Sequence, residues 1–190
     1  MTAMVGALDF ILQFKNESIL RLASHAALKM VNVFPNSILR AHVLDLVHPL
    51  SSLLSSHQSQ VSVSCAAALS SILVNLSSKS EREVWEILEE TKAVINIIRN
   101  IQDFPGGHKP DEFLQEMVSL LSQILWQWSA SRFLVWNNAK LMEALGSISL
   151  KPDFSVKVIV MQLYSAIGID PYFIFFVKKK KKKCSEFPLN

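Results

Sequence analysis

Histidine, cysteine and paired carboxylates are the side chains here that could do chemistry, and their spacing decides which reactions are open. A zinc site on a helix needs two histidines one turn apart with a glutamate beside them. His25, His42, His48, His57 and His108 are scattered without that spacing, and each reads as an ordinary surface or core histidine. Cys65 sits in an apolar helical pattern, where a small reduced thiol is buried, and Cys184 is far from it in sequence. Two cysteines so placed make neither a disulfide framework nor a zinc site. The glycine pair of "PGGHKP" lacks the Lys-Ser/Thr that a phosphate-cradling loop requires, so it reads as a plain loop. Glu81, Glu83, Glu86, Glu89 and Glu90 could be acid–base pairs, but their periodicity is that of the wet face of one long helix. The expectation is a protein that is not an enzyme, with no cofactor, no metal and no small-molecule substrate.

Binding chemistry is the alternative. Trp126 and Trp128 lie two residues apart and cannot share one helix face, and Trp136 and Arg132 follow closely. Tryptophan and arginine are favoured at binding hot spots, so these residues are candidates for a partner-binding surface, with packing between repeats as the competing reading. Trp85 falls on an apolar stripe and reads as core.

Half of the 190 residues are hydrophobic, which is ample for a core. The formal charge is +3, but six positive charges are Lys178, Lys179, Lys180, Lys181, Lys182 and Lys183, so the remainder carries −3 and nucleic-acid binding is not indicated. That polybasic tail follows the apolar stub Phe173–Val177, which is too short to cross a membrane. Such a stub with six lysines could touch an anionic membrane surface or act as a nuclear signal. A translated poly(A) tract followed by an in-frame EcoRI site, read as Glu-Phe, would give the same residues, so a truncation or cloning remnant is an equal reading. The start of the chain lacks a basic region ahead of an apolar core, and no signal peptide is read. A reducing interior, cytoplasmic or nuclear, is the expected location.

The elements that must position these residues are helices. Asn16 can cap a helix whose apolar positions run from Ile19 to Phe34, Pro35 ends it, and Pro49 marks a start or bend in the next. Ser80 and Glu83 have capping-box spacing ahead of the long amphipathic segment. Further helices are expected over about 111–128, 131–146 and 153–168. The segment "VSVSCAAALSSILVNLS" is too apolar to sit on a surface. A repeat explains it: Leu28 aligns with Leu69 about 41 residues on, Leu121 lies about 52 further and Leu163 about 42 beyond that. Such helical periods belong to solenoids, whose units are covered on both sides by their neighbours.

"LVHPLSSLLSSHQSQVSVSCAAALSSILVNLS" resembles the armadillo repeat, with a second helix, a short polar turn and a third helix of the form "VxxxAAxAL". The resemblance implies an all-α armadillo/HEAT-like superhelical solenoid of about four irregular repeats over 3–168, followed by an irregular basic tail over 169–190. "LDLVHPLSSLLSSHQ" is also similar to the helical region of plant BTB/POZ domain proteins. That likeness implies a fragment or short form of an adapter for a cullin-RING ubiquitin ligase, here without the BTB domain. Armadillo proteins that hold extended peptides use a ladder of asparagine and tryptophan on the third helices. The asparagine positions carried over here are Met30, Ser71, Gln123 and Ser165, and the tryptophan positions are Ala26, Ala67, Ser119 and Met161. Gln123 is the one amide, which adds it to the candidate surface, while Asn32 and Asn75 fall off the ladder. The expected function is a protein–protein interaction scaffold of unknown partner, able to self-associate at an open solenoid end.

Overall fold

The computed structural model describes residues 2–14, 16–33, 42–106, 109–150 and 154–168. The breaks expected at Pro35 and Lys151-Pro152, His108, and the basic tail lie outside the described residues. Ten α-helices occur among the described residues, and no strand. They are α1 (Thr2–Leu12), α2 (Glu17–Val33), α3 (Val43–Ser52), α4 (Ser59–Val74), α5 (Glu81–Glu90), α6 (Ala93–Gln102), α7 (Asp111–Gln127), α8 (Arg132–Trp136), α9 (Ala139–Ile148) and α10 (Phe154–Ile167). Short 3-10 turns at Leu53–Ser55, Phe104–Gly106 and Ser129–Ser131 lie between them.

Four long helices, α2, α4, α7 and α10, stack side by side in that order and form one layer. The others pack behind it: α1 on α2 and α3, α3 on α4 and α5, α6 on α7 and α9, and α8 on α10. The core is continuous between the layers, from Leu12 through Leu54, Leu88 and Ile97 to Tyr164. This is the all-α armadillo-like solenoid. It also accounts for the apolar α4: Val61, Cys65, Ala66, Ala68, Leu69, Ile72 and Leu73 are buried because α2 and α7 cover its two flanks.

The repeat register comes from burial. The buried set Ala23, Ser24, Ala27, Met30 and Val31 of α2 recurs in α4 as Cys65, Ala66, Leu69, Ile72 and Leu73, at a spacing of 42 residues. The next step, from Leu69 to Leu121, is 52 as expected. The first alignment is therefore one residue out. Ala26-Ala27-Leu28 matches Ala67-Ala68-Leu69 in type, and two alanines in a row let the pairing slide. Full burial settles it, because Ala27 is fully buried and Leu28 only partly.

Several local expectations are met and others corrected. Asn16 caps α2, its Oδ1 accepting from the amides of Ser18 and Ile19 at 3.1 and 3.2 Å. Ser80 makes no side-chain cap, and its hydroxyl lies 3.3 Å from that of Ser77 instead. Pro49 does not break α3, which runs on to Ser52. An interior proline forfeits a helix bond and costs about 3 kcal/mol, offset here by burial of Pro49, Leu50 and Leu54. The long glutamate-bearing segment is two helices, not one. Thr91 Oγ1 donates to the Ile87 carbonyl at 2.8 Å, and Lys92 turns the chain in the left-handed conformation at φ 55°. A straight helix would continue the Val84–Leu88 stripe onto Ile95, which is exposed; the turn buries Val94, Ile97, Ile98 and Ile101 instead. The helix expected over 131–146 is likewise divided. Asn138 Oδ1 caps α9 by accepting from Leu141 N at 3.0 Å and accepts from Gln102 Nε2 at 2.7 Å.

Candidate partner-binding surface

The stacked layer leaves one face of α2, α4, α7 and α10 uncovered. With the corrected register, the row that carries asparagine in peptide-holding armadillo proteins is Lys29, Ser71, Gln123 and Ser165, and the tryptophan row is His25, Ala67, Ser119 and Met161. Each of these is exposed or half-buried. Met30, placed in the first row by the sequence alignment, is buried in the core, and Ala26 gives its place to His25. The peptide ladder is thus absent, and a lysine stands where its first amide would be.

The five candidates from sequence separate. Trp126 is 61% exposed on the open side of α7, and Trp136 is 57% exposed on α8. Trp128 turns the other way, half-buried against Trp85 with ring centroids 5.4 Å apart. Arg132 bridges the turn: its Nε donates to the Leu125 carbonyl at 3.1 Å, and its guanidinium carbon lies 5.5 Å from the Trp126 ring centre. Gln123 lies one turn before Trp126 on α7, its Oε1 buried without a hydrogen-bond partner among the described residues. Gln123, Trp126 and Arg132 therefore form one locality, and Trp128 belongs to the packing between α5 and the end of α7.

Beside Gln123 a groove of about 340 Å³ runs between α2, α4 and α7, lined by Asn32, Ser70, Ser71, Val74, Asn75 and Gln123. Ser71 Oγ donates to Asn32 Oδ1 at 3.1 Å, and Asn75 Nδ2 to the Ser71 carbonyl at 2.9 Å. Asn32 and Asn75, set aside in sequence, are on this face. The signal was the recurring Val-Asn pair, Val31-Asn32 and Val74-Asn75, at the ends of successive long helices. A second bay of about 320 Å³ continues from it between Leu73, Val74, Gln123, Trp126 and Gln127. At the opposite rim, Glu112 and Glu116 stand one turn apart on α7. Burial, and then the charge of Glu112, pushes the Glu116 carboxyl above the usual range.

No thiol among the described residues reaches this surface. Cys65 is buried in α4, and burial pushes its thiol up to about 12, so it stays protonated. Among the described residues, no three metal-binding side chains cluster, and no helix is long and apolar enough to cross a membrane.

Comparison with known proteins agrees with the geometry. Residues 56–169 match the family described as plant ARM repeat. A BTB/POZ domain-containing protein of Arabidopsis thaliana is 44% identical over 164 residues, which is 86% of this chain and 16% of that protein. Among solved structures, a designed armadillo repeat protein superposes with a TM-score of 0.64 at 16% identity, over 84% of this chain and 63% of the design. A second design, in complex with the peptide (KR)4, gives a TM-score of 0.64 at 17% identity, over 84% of this chain and 62% of the design.

Proposed function

This chain belongs to the plant armadillo-repeat family, and on that premise we propose that it is a non-enzymatic scaffold that binds another protein along the open face of α2, α4, α7 and α10. One observation carries this reading: the face left uncovered by the second layer is continuous across three stacked helices and grooved, with exposed Val74 and Trp126 at one edge. A surface of that kind offers apolar anchors on a rigid frame, which is what hot-spot binding needs. Proximity labelling by the full chain in its native cells tests it, against an Ala67→Arg, Ser119→Arg variant that fills the middle of the face. A reproducible partner set lost in the variant is expected. Labelling that is the same with both chains would sink the reading.

The Arabidopsis relative favours a second, narrower reading, in which the chain is part of a BTB-type ubiquitin-ligase adapter. Cullin-ligase components among the labelled proteins would support it. Their absence from a partner set that is otherwise reproducible would count against it.

A further inference from the structure

The groove between α2, α4 and α7 contains polar atoms that the fold itself does not satisfy. Ser70 is only 9% exposed, and its Oγ lacks a partner among the described residues, as does the buried Oε1 of Gln123 across the groove. A buried polar atom left without a hydrogen bond disfavours the fold, and a ligand that supplies the bond recovers that cost. Turning the Gln123 amide end for end would replace an unpartnered acceptor with an unpartnered donor. A peptide unit, which donates at its N–H and accepts at its carbonyl, has what both atoms need whichever way the amide is turned.

The adjoining bay has different chemistry. Its walls are almost wholly apolar, and it shares Val74 and Gln123 with the first groove. Val74, the last residue of α4, is 70% exposed at the edge of the layer. Past Trp126 stands Arg132, whose guanidinium engages no carboxylate among the described residues. On the other side, Lys29 occupies the row of Ser71 and Gln123. Among the described residues, no carboxylate lines either cavity. Lys29 thus stands on the α2 side and Arg132 beyond Trp126, with a polar groove and then an apolar bay between them.

We propose that this double groove holds an extended peptide segment of acidic–hydrophobic character. One peptide unit bonds to Ser70 and Gln123. A neighbouring aliphatic or aromatic side chain fills the Val74–Trp126 bay. An aspartate or glutamate beyond it pairs with Arg132. This inference rests on the protein-binding reading and names the class of segment bound.

Selection of a random-peptide phage library on the full 190-residue chain tests it, followed by fluorescence anisotropy with the recovered peptides. The expected motif places an apolar residue close to an acidic one. Val74→Glu and Gln123→Ala should each weaken such peptides by about tenfold or more, near 1.4 kcal/mol. Arg132→Gln should weaken the acidic peptide and leave its amide counterpart unchanged. Val74 is exposed, and an unchanged circular dichroism spectrum confirms the fold, with Trp126→Ala as the second variant. Peptides that bind these variants as tightly as the parent overturn the site and leave the protein-binding reading standing. Enrichment of basic peptides dependent on Glu112 and Glu116 overturns it in the same way. If the library gives no binder while proximity labelling gives a partner set, the short-peptide proposal fails alone; if both give nothing, both readings fail.

Discussion

Trp128 packs on Trp85 at 5.4 Å between ring centroids, tying the turn after α7 to α5, while Trp126 two residues earlier faces solvent. The two tryptophans should separate stability from binding. Trp128→Ala removes a large side chain from a packed contact and is expected to cost about 3 kcal/mol. Trp126→Ala should stay within about 0.5 kcal/mol of the parent. Urea unfolding followed by circular dichroism distinguishes them; equal losses would contradict this division of roles.

Asn138 serves two elements with one oxygen, capping α9 and accepting from Gln102 on α6. Asn138→Ala should destabilise the chain by about 1–2 kcal/mol. Asn138→Asp, which keeps the acceptor, should recover most of that. Midpoints of thermal unfolding for the two variants supply the check.

How much of this was legible beforehand varies along the chain. The stacked helices were, because a 3.6-residue period with leucine and alanine recurring at repeat spacing is written in the order of residue types along the chain. The break at Lys92 was not. The apolar pattern runs on through Thr91-Lys92, and only the packing of α5 on α3 and of α6 on α7 forces a turn there. The division of Trp126 from Trp128 followed from their spacing, but which one faces out depends on where Trp85 lies. The first row of the ladder was misplaced for a different reason: a one-residue slip between two alanine pairs moved it from Lys29 to Met30.

Lys92 adopts a backbone conformation in which a Cβ costs about 1–2 kcal/mol. Lys92→Gly should therefore raise stability by up to about 1 kcal/mol, the glycine's greater unfolded freedom taking part of the gain. Lys92→Val should lower it. A rise in urea midpoint for valine would show that the turn is not strained.

Glu116 carries a folded-state pKa above its unfolded value, through burial and the neighbouring Glu112. Below the unfolded pKa the group is neutral in both states and costs nothing. As pH rises through the carboxylate range, the unfolded chain loses its proton first and the folded state is disfavoured. Glu116→Gln should thus match the parent near about pH 3 and exceed it in stability near about pH 7. Paired urea titrations at the two pH values measure the difference, and a variant advantage confined to acid would have the wrong sign.

Cys65 should resist thiol reagents while α4 stays packed, since its thiol is both buried and raised to about 12. In a Cys184→Ser background, labelling by an aromatic disulfide should await unfolding, with a rate that follows denaturant. Fast labelling in native buffer would place Cys65 in a region that opens locally.

The stacked layer has a mechanical consequence. Its helices meet at three seams in series, α2 with α4, α4 with α7, and α7 with α10, so a load applied along the stack passes through each and the weakest one yields first. Asn32, Ser70 and Gln123 place a single groove across the first two seams. Whatever lies in it acts as a staple, adding its own affinity to the work of parting either seam, so occupancy and stiffness rise together.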